Sequence, residues 1–438
     1  MSNKVLENIN QTKNYLDNFL SDKYGPEFNS AIYLASYTNS VGNVFLKKIF
    51  RVSDKSFFKN IFLDIISGLK ISGKIIKNDT IEKKFSKIVF SWGFKKNFED
   101  NGSFNDKYFN INSAKKNNFL WFIIYMDKKI PDKIDKNIVI FKVYGNLLLN
   151  FFSWLKFILI NFKFLFKGID YFLHNISSSN FLSKKLINSS KEIFSKDFDE
   201  ILFPYEGQPF QNEIIKYFKK KKNKVISIGY IHSPPLAVPT NFIYKDSCPD
   251  KIFLNGSDQR FCFENILGWP SKKIVEIPSL RFNEIAEDIE DSIFFPNVIN
   301  QPEKILESLI YINNNIIELN NFNIRNHPAS LKNKTNLELI KKIKEKFNIK
   351  DNKTINFNKK LIFIGNSGAI IESLERGYDV IQICENSSFD FYSNNVWKSI
   401  KSELIAKDIY AYRLKEKGNL ISFGKIDTNI DTILNDKK

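Results

Sequence analysis

Apolar runs of strand length recur along this chain between helix-like segments, and that alternation limits the fold more than any other feature. The runs are AIYLAS at 31–36, KIVFSW at 87–92, FLWFIIY at 119–125, NIVIFKV at 137–143, EILFPY at 200–205 and VISIGY at 225–230, then KIFLNG at 251–256 and KIVEIPS at 273–279. Strands alternating with helices predict an α/β protein, a parallel sheet covered by helices on both faces. At 438 residues the chain exceeds one ordinary core, so two domains are expected. The acidic stretch 283–292 reads as a linker and divides the chain into 1–285 and 286–438. The second part carries SIFFPN, a helix around 303–311, FNIRNHP, a helix around 337–347, LIFIGNS, a helix at 370–376 and DVIQIC. In the first part, 213–224 reads as a helix whose lysine-rich end complements its negative dipole end.

Composition narrows the class. With 43% hydrophobic and 26% charged residues the chain is globular rather than disordered. Its net charge of +17 comes from 59 Lys against 6 Arg, spread along the whole length. Nucleic-acid binding uses basic residues clustered on a recognisable module, so no nucleic-acid partner is expected. An anionic surface, lipid headgroups included, remains a fitting partner. Cys248, Cys262 and Cys384 lack metal-ligand spacing and are too few for a disulfide framework, which predicts free thiols in a reducing compartment. The N-terminal MSNKVLENINQTKNYLDNF has no apolar core of a signal peptide, so a cytoplasmic location is expected, with the inner face of the membrane as a peripheral site.

The stretch 144–172 is strongly apolar, yet Lys156, Lys163 and Lys167 interrupt it, and no window of about 18 residues is free of charge. It does not read as a spanning helix. Two readings stand: an interfacial helix on an anionic membrane surface, or a buried helix of the first domain.

Three motifs carry the candidate chemistry. GNSGAIIESLERG at 365–377 follows the run LIFI and reads as a strand, a Gly/Ser turn and a helix whose first amides face an anion. Within it Ser367 can cap the helix or bond a phosphate oxygen, with Gly365, Asn366 and Gly368 shaping the turn and Glu372 facing a ribose or solvent. IRNHP at 324–328 puts Arg325 and His327 after another strand, with Pro328 restricting the backbone at His327. YEGQP at 205–209 presents Glu206 at a strand end, where Gly207 permits close backbone approach and Pro209 stops continuation of the strand. His232, in GYIHSPP, is stiffened by two prolines and suits either an acceptor-side or a structural role. No metal is expected. Asp197-Phe198-Asp199 precedes its strand rather than following it, and the loop DNGSFND at 100–106 lacks the closing Glu of a calcium loop.

The order of YEGQP, GYIHS, PDKIFLNG, KIVEIPSLRF, IRNHP and GNSGAIIESLERG resembles bacterial surface-carbohydrate biosynthesis proteins of the GT-B fold, related in pattern to sialic acid, polysialic acid and Kdo transferases. The resemblance spans about residues 85–385. It implies two Rossmann-like domains facing a cleft, the first taking the acceptor and the second a nucleotide-sugar. It also implies Glu206 with Gly207 as the base motif, and His327 with Pro328 and Ser367 on the donor phosphate. The implied reaction is metal-independent inverting transfer from a nucleotide donor, CMP-linked in several such enzymes, to a glycan or lipid-linked glycan of capsule or O-antigen. No cofactor beyond the donor itself is implied. Tyr205 stands where a second acidic residue is frequent in the family. Two alternatives stay open: a polyol-phosphate transferase of teichoic-acid type, which also uses His-Pro loops, and a non-catalytic scaffold for glycan assembly.

Overall fold

The computed structural model describes residues 2–21, 41–52, 57–78, 85–116, 118–221, 225–283, 289–327, 333–349 and 358–435. The run AIYLAS and Pro328 lie outside them. Among the described residues the chain forms a mixed α/β structure with an eight-stranded and a six-stranded sheet.

The first sheet contains β1 (Ile71–Lys77), β2 (Lys87–Gly93), β3 (Phe119–Tyr125), β4 (Ile138–Tyr144), β5 (Glu200–Pro204), β6 (Ile226–Tyr230), β7 (Lys251–Leu254) and β8 (Ile274–Glu276). Their order is β1-β4-β3-β2-β5-β6-β7-β8. All neighbours are parallel except β1, which runs antiparallel to β4 at the edge. All seven residues of β3 are buried, as expected for a parallel strand covered on both faces.

The second sheet contains β9 (Ser292–Phe295), β10 (Asn323–Asn326), β11 (Lys360–Ile364), β12 (Asp379–Ile383), β13 (Ile400–Ala406) and β14 (Ile409–Leu414), in the order β10-β9-β11-β12-β14-β13. Its first four strands are parallel, and the β13–β14 hairpin adds an antiparallel edge. Both sheets are thus parallel-rich rather than purely parallel.

One apolar core joins the two sheets, with Phe203, Ile252 and Trp269 from the first half and Phe363, Ile371 and Trp397 from the second. Polar ties reinforce it. Asp258 accepts from the Ser399 amide at 2.7 Å and its hydroxyl at 3.0 Å. Glu375 accepts from the amides of Gly418, Leu420 and Ile421 at 2.7, 2.7 and 3.0 Å. The chain then returns to the first sheet, where Ile430 and Ile433 pack with Phe109 and Trp121.

Two sequence expectations change. Pro209 does not merely stop the preceding segment; it is the first residue of the helix Pro209–Lys221, because its fixed φ and missing N–H suit a first helical turn. The segment around 144–172 is not a buried helix. Helix Leu147–Asn161 leaves Leu148, Phe152, Leu159 and Ile160 exposed. No helix among the described residues is long and apolar enough to cross a membrane.

Candidate functional site

The loops that follow β5 and β6 of the first sheet and β9, β10 and β11 of the second converge on one cleft of about 1210 Å³. Each leaves the C-terminal end of a parallel strand, the edge at which open α/β sheets take their ligands. Glu206, His232, Arg325, Asn366, His327, Ser367, Gly368 and Glu372 line the cleft. Gly207 and Gly365 do not; both hold left-handed φ, 68° and 69°, and set the turns that carry their neighbours. At Gly207 a Cβ would stand 2.2 Å from the Asn241 carbonyl oxygen, so the close backbone approach there admits no side chain.

On the first wall, the β5–β6 register pairs Pro204 with Tyr230. Glu206 and His232 each lie two residues beyond that pair, which brings them side by side. His232 Nε2 is 3.3 Å from Glu206 Oε1, a geometry in which the imidazole N–H donates to the carboxylate. The other carboxylate oxygen accepts from Gln208 Nε2. Gln211, itself buried, holds the loop: its Oε1 accepts from the amides of Glu206 and Gln208 at 3.0 and 3.1 Å, and its Nε2 donates to the Pro204 carbonyl at 2.9 Å. The carboxylate is therefore fixed at the strand end while remaining partly open to the cleft.

His232 is buried, and its Nδ1 has no partner among the described residues. The Tyr108 ring meets the imidazole edge-on at 4.5 Å. Tyr108 is held in turn by Asp106, whose Oδ1 accepts from the amides of Tyr108 and Phe109 at 2.8 and 2.6 Å and whose Oδ2 accepts from the Ser91 hydroxyl. Burial pushes Asp106 up from 3.8 to about 6, against the lowering effect of those bonds.

Because the folded-state pKa of Asp106 is the higher one, the native state binds the proton more tightly. Its contribution to stability is full below the unfolded value and is lost as pH rises through about 6. Asp106→Asn keeps an oxygen for the two amides and an N–H for Ser91, without the charge. Urea unfolding at pH 4 and pH 7 should show a parent that loses on the order of 2 kcal/mol more than the variant over that interval. Parallel pH profiles for the two proteins would show that Asp106 does not titrate in this way.

The second wall carries the Arg325 guanidinium, the His327 imidazole, the Ser367 hydroxyl and the partly exposed ring of Phe294. Arg325 donates from Nε to the Ser292 hydroxyl at 3.1 Å and lies 5.9 Å from the centre of the Phe294 ring. Phe294 stacks on Phe363 across β9 and β11, with ring centres 4.5 Å apart and planes within 9°. His327 is exposed, and its amide donates to Phe295 at 3.1 Å, continuing the strand pairing.

Ser367 Oγ accepts from the Ala369 amide at 3.3 Å, and its carbonyl accepts from Tyr392 Oη at 2.9 Å. That amide, one of those read from the sequence as facing an anion, is thus already engaged by Ser367. The helix that follows, Ala369–Glu375, has Gly368 at its cap, without a side-chain cap bond. Glu372 pairs with Arg376 at 3.1 Å rather than standing alone. The two walls meet here: the Ala237 amide donates to Asn366 Oδ1 at 3.4 Å, and a Cβ on Gly368 would be 2.9 Å from the Pro234 carbonyl oxygen.

Sequence reasoning did not assign Arg281, Lys107, Tyr108, Phe294 or Phe363 to the site, yet all five line the cleft. Arg281 donates to the Ser233 hydroxyl at 2.6 Å. Arg281 belongs to the quoted motif KIVEIPSLRF, and Lys107 and Tyr108 are the two residues after a loop weighed only as a calcium site. Phe294 and Phe363 lie inside the runs SIFFPN and LIFIGNS, whose apolar pattern signals strands but not which ring faces a cleft.

No protein-family model matches this chain, and no curated protein matches it in sequence. A solved structure of the wall teichoic acid polymerase TagF, in a histidine-to-alanine variant, is similar at 10% identity over 78% of this chain and 78% of its own, with a TM-score of 0.26. A likeness at that level does not establish a common fold.

Proposed function

We propose that this protein is a glycosyltransferase of surface-polysaccharide assembly that moves a sugar from a nucleotide donor by metal-independent inverting transfer. In this reading residues 1–285 and 286–438 act as the two Rossmann-like domains of a GT-B-like enzyme. The observation that supports it is the cleft itself, with a positioned carboxylate on one wall and cationic and hydroxyl groups on the other, all at strand C-terminal ends. Its volume of about 1210 Å³ exceeds the roughly 300–1,000 Å³ that suits a single drug-sized ligand, leaving room for donor and acceptor together.

Glu206 takes the proton of an acceptor hydroxyl as that oxygen bonds to the anomeric carbon. The bond from that carbon to the donor phosphate breaks, and its electron pair leaves on the phosphate oxygen. Arg325, His327 and Ser367 stabilise the charge that develops there. The partly exposed ring of Phe294, backed by the buried Phe363, suits a nucleobase, and the acceptor lies toward His232.

A second reading, transfer of a polyol phosphate, is favoured by Arg281 and Lys107 on the acceptor side, where an anionic, phosphate-bearing acceptor would be matched in charge. The phosphorus content of the product separates the two.

A thermal-shift series with cytidine, uridine and guanosine nucleotides tests the shared core of both readings. A nucleotide present at a hundredfold excess over its Kd should raise the melting temperature by about 3 °C, since binding to the native state alone contributes about 2.7 kcal/mol. If none of the three moves the transition, the cleft is not a nucleotide site.

A further inference from the structure

We infer that the face formed by helices Phe57–Ser67 and Leu147–Asn161 and the turn Phe162–Lys167 docks onto the surface of an anionic phospholipid bilayer. The helices are held together from within: Trp154 Nε1 donates to the Ile65 carbonyl at 2.9 Å, and Asn150 Nδ2 to that of Leu69 at 3.2 Å. Phe157 turns inward onto Ile71, Ile176 and Phe181. The outer side has no such cover. Phe58 is 83% exposed, Leu148 80%, Phe152 77% and Phe166 89%, and Phe62, Leu159 and Ile160 stand beside them in the open. Most of the exposed large apolar side chains among the described residues fall on these two helices and the turn after them, and apolar exposure on this scale marks an interaction surface.

The charges on this face select the partner. Lys59, Lys156 and Lys163 are exposed and Lys167 is half-exposed. Residues 144–169 include no Asp or Glu. The one acid of helix Phe57–Ser67, Asp64, is buried and accepts from the Ser178 hydroxyl at 2.6 Å. A surface of bare Phe and Leu interspersed with lysines alone complements acyl chains under phosphate headgroups. A second copy docking on the same patch would bring the lysines onto one another.

Position adds a consequence that rests on the proposed function. Helix Leu147–Asn161 follows β4, whose C-terminal end lies on the same sheet edge as Glu206 after β5. Those strands are three places apart, roughly 14 Å at the usual strand spacing. A bilayer on this face therefore lies beside the edge where the acceptor is proposed to bind, which suits an acceptor anchored in that bilayer.

Co-sedimentation with vesicles tests the inference without any donor or acceptor, so failure of the transferase reading would leave its outcome intact. The parent should pellet with phosphatidylglycerol/phosphatidylcholine vesicles, pellet less with phosphatidylcholine alone, and detach as salt is raised. Lys156→Gln with Lys163→Gln and Lys167→Gln should lower the partition coefficient about 100-fold at low salt, about fivefold for each lysine. Phe58→Ser with Phe152→Ser and Phe166→Ser should lower it at least as far. Both triple variants should keep the parent's melting temperature, because the replaced side chains are largely solvent-facing. Salt-independent pelleting on both vesicle types would overturn the proposal. So would an absence of pelleting, with the phenylalanine variant merely converting a dimer to a monomer in sedimentation velocity.

Discussion

Glu206→Gln is expected to cut turnover by about 100-fold or more while leaving nucleotide affinity within a few-fold of the parent, the size and pattern of a lost general base. The substitution is nearly isosteric. Its amide oxygen can still accept from His232 Nε2, now 3.3 Å from Glu206 Oε1, and the Gln211 bonds to the loop amides do not involve the side chain. What the amide cannot do is take a proton from the acceptor hydroxyl. His232→Phe is the companion variant, because it removes the contact to Glu206 while keeping a ring for Tyr108, 4.5 Å away in the parent, to pack against. If His232 only positions the carboxylate, this variant loses less turnover than Glu206→Gln. Initial rates at saturating donor decide the matter. Turnover of Glu206→Gln within a few-fold of the parent would remove Glu206 as the base.

How far sequence alone leads depends on burial. β3, with seven buried residues, reads as one unbroken apolar run and is recognisable without a structure. β1, with the sequence ISGKIIK and a glycine at φ 68°, is a half-covered edge strand whose pattern is too diluted to stand out. The β13–β14 hairpin is equally veiled, since its turn relies on Asp408 in the left-handed region rather than on a glycine. The same contrast runs through the site. Glu206 was noticeable because Gly207 and Pro209 frame it locally. Its partner His232 lies 26 residues away, and their contact arises from the pairing of Pro204 with Tyr230, a register that local pattern does not encode. The stack of Phe294 on Phe363 depends on the alignment of β9 with β11 in the same way. Helix Leu147–Asn161 left two readings open because composition cannot say which side of an apolar helix a neighbour covers; Phe157 inward and Phe152 outward answer that only in three dimensions.

The second wall makes an independent and comparably large prediction. If Arg325, His327 and Ser367 take the charge of the departing nucleotide phosphate, His327→Ala and Ser367→Ala should each lower kcat/KM by about 100- to 1,000-fold, the usual cost of removing one preorganised donor from developing negative charge. The fold should survive both changes. The described bond of His327 to Phe295 is made by its main-chain amide, which alanine retains, and Ser367→Ala forfeits one 3.3 Å bond from the Ala369 amide while the Tyr392 bond to its carbonyl is kept. That lost bond is worth about 1 kcal/mol, small beside the expected kinetic effect. Groups that grip one phosphate act as a unit, so the double variant should lose less than the product of the two single losses. Calorimetric titration with the nucleoside phosphate found by thermal shift separates binding from chemistry: weakened affinity places the groups on the ground-state phosphate, whereas unchanged affinity with reduced turnover places them on the transition state. Unchanged affinity together with unchanged turnover in both variants would mean that the donor phosphate does not sit between β10 and β11.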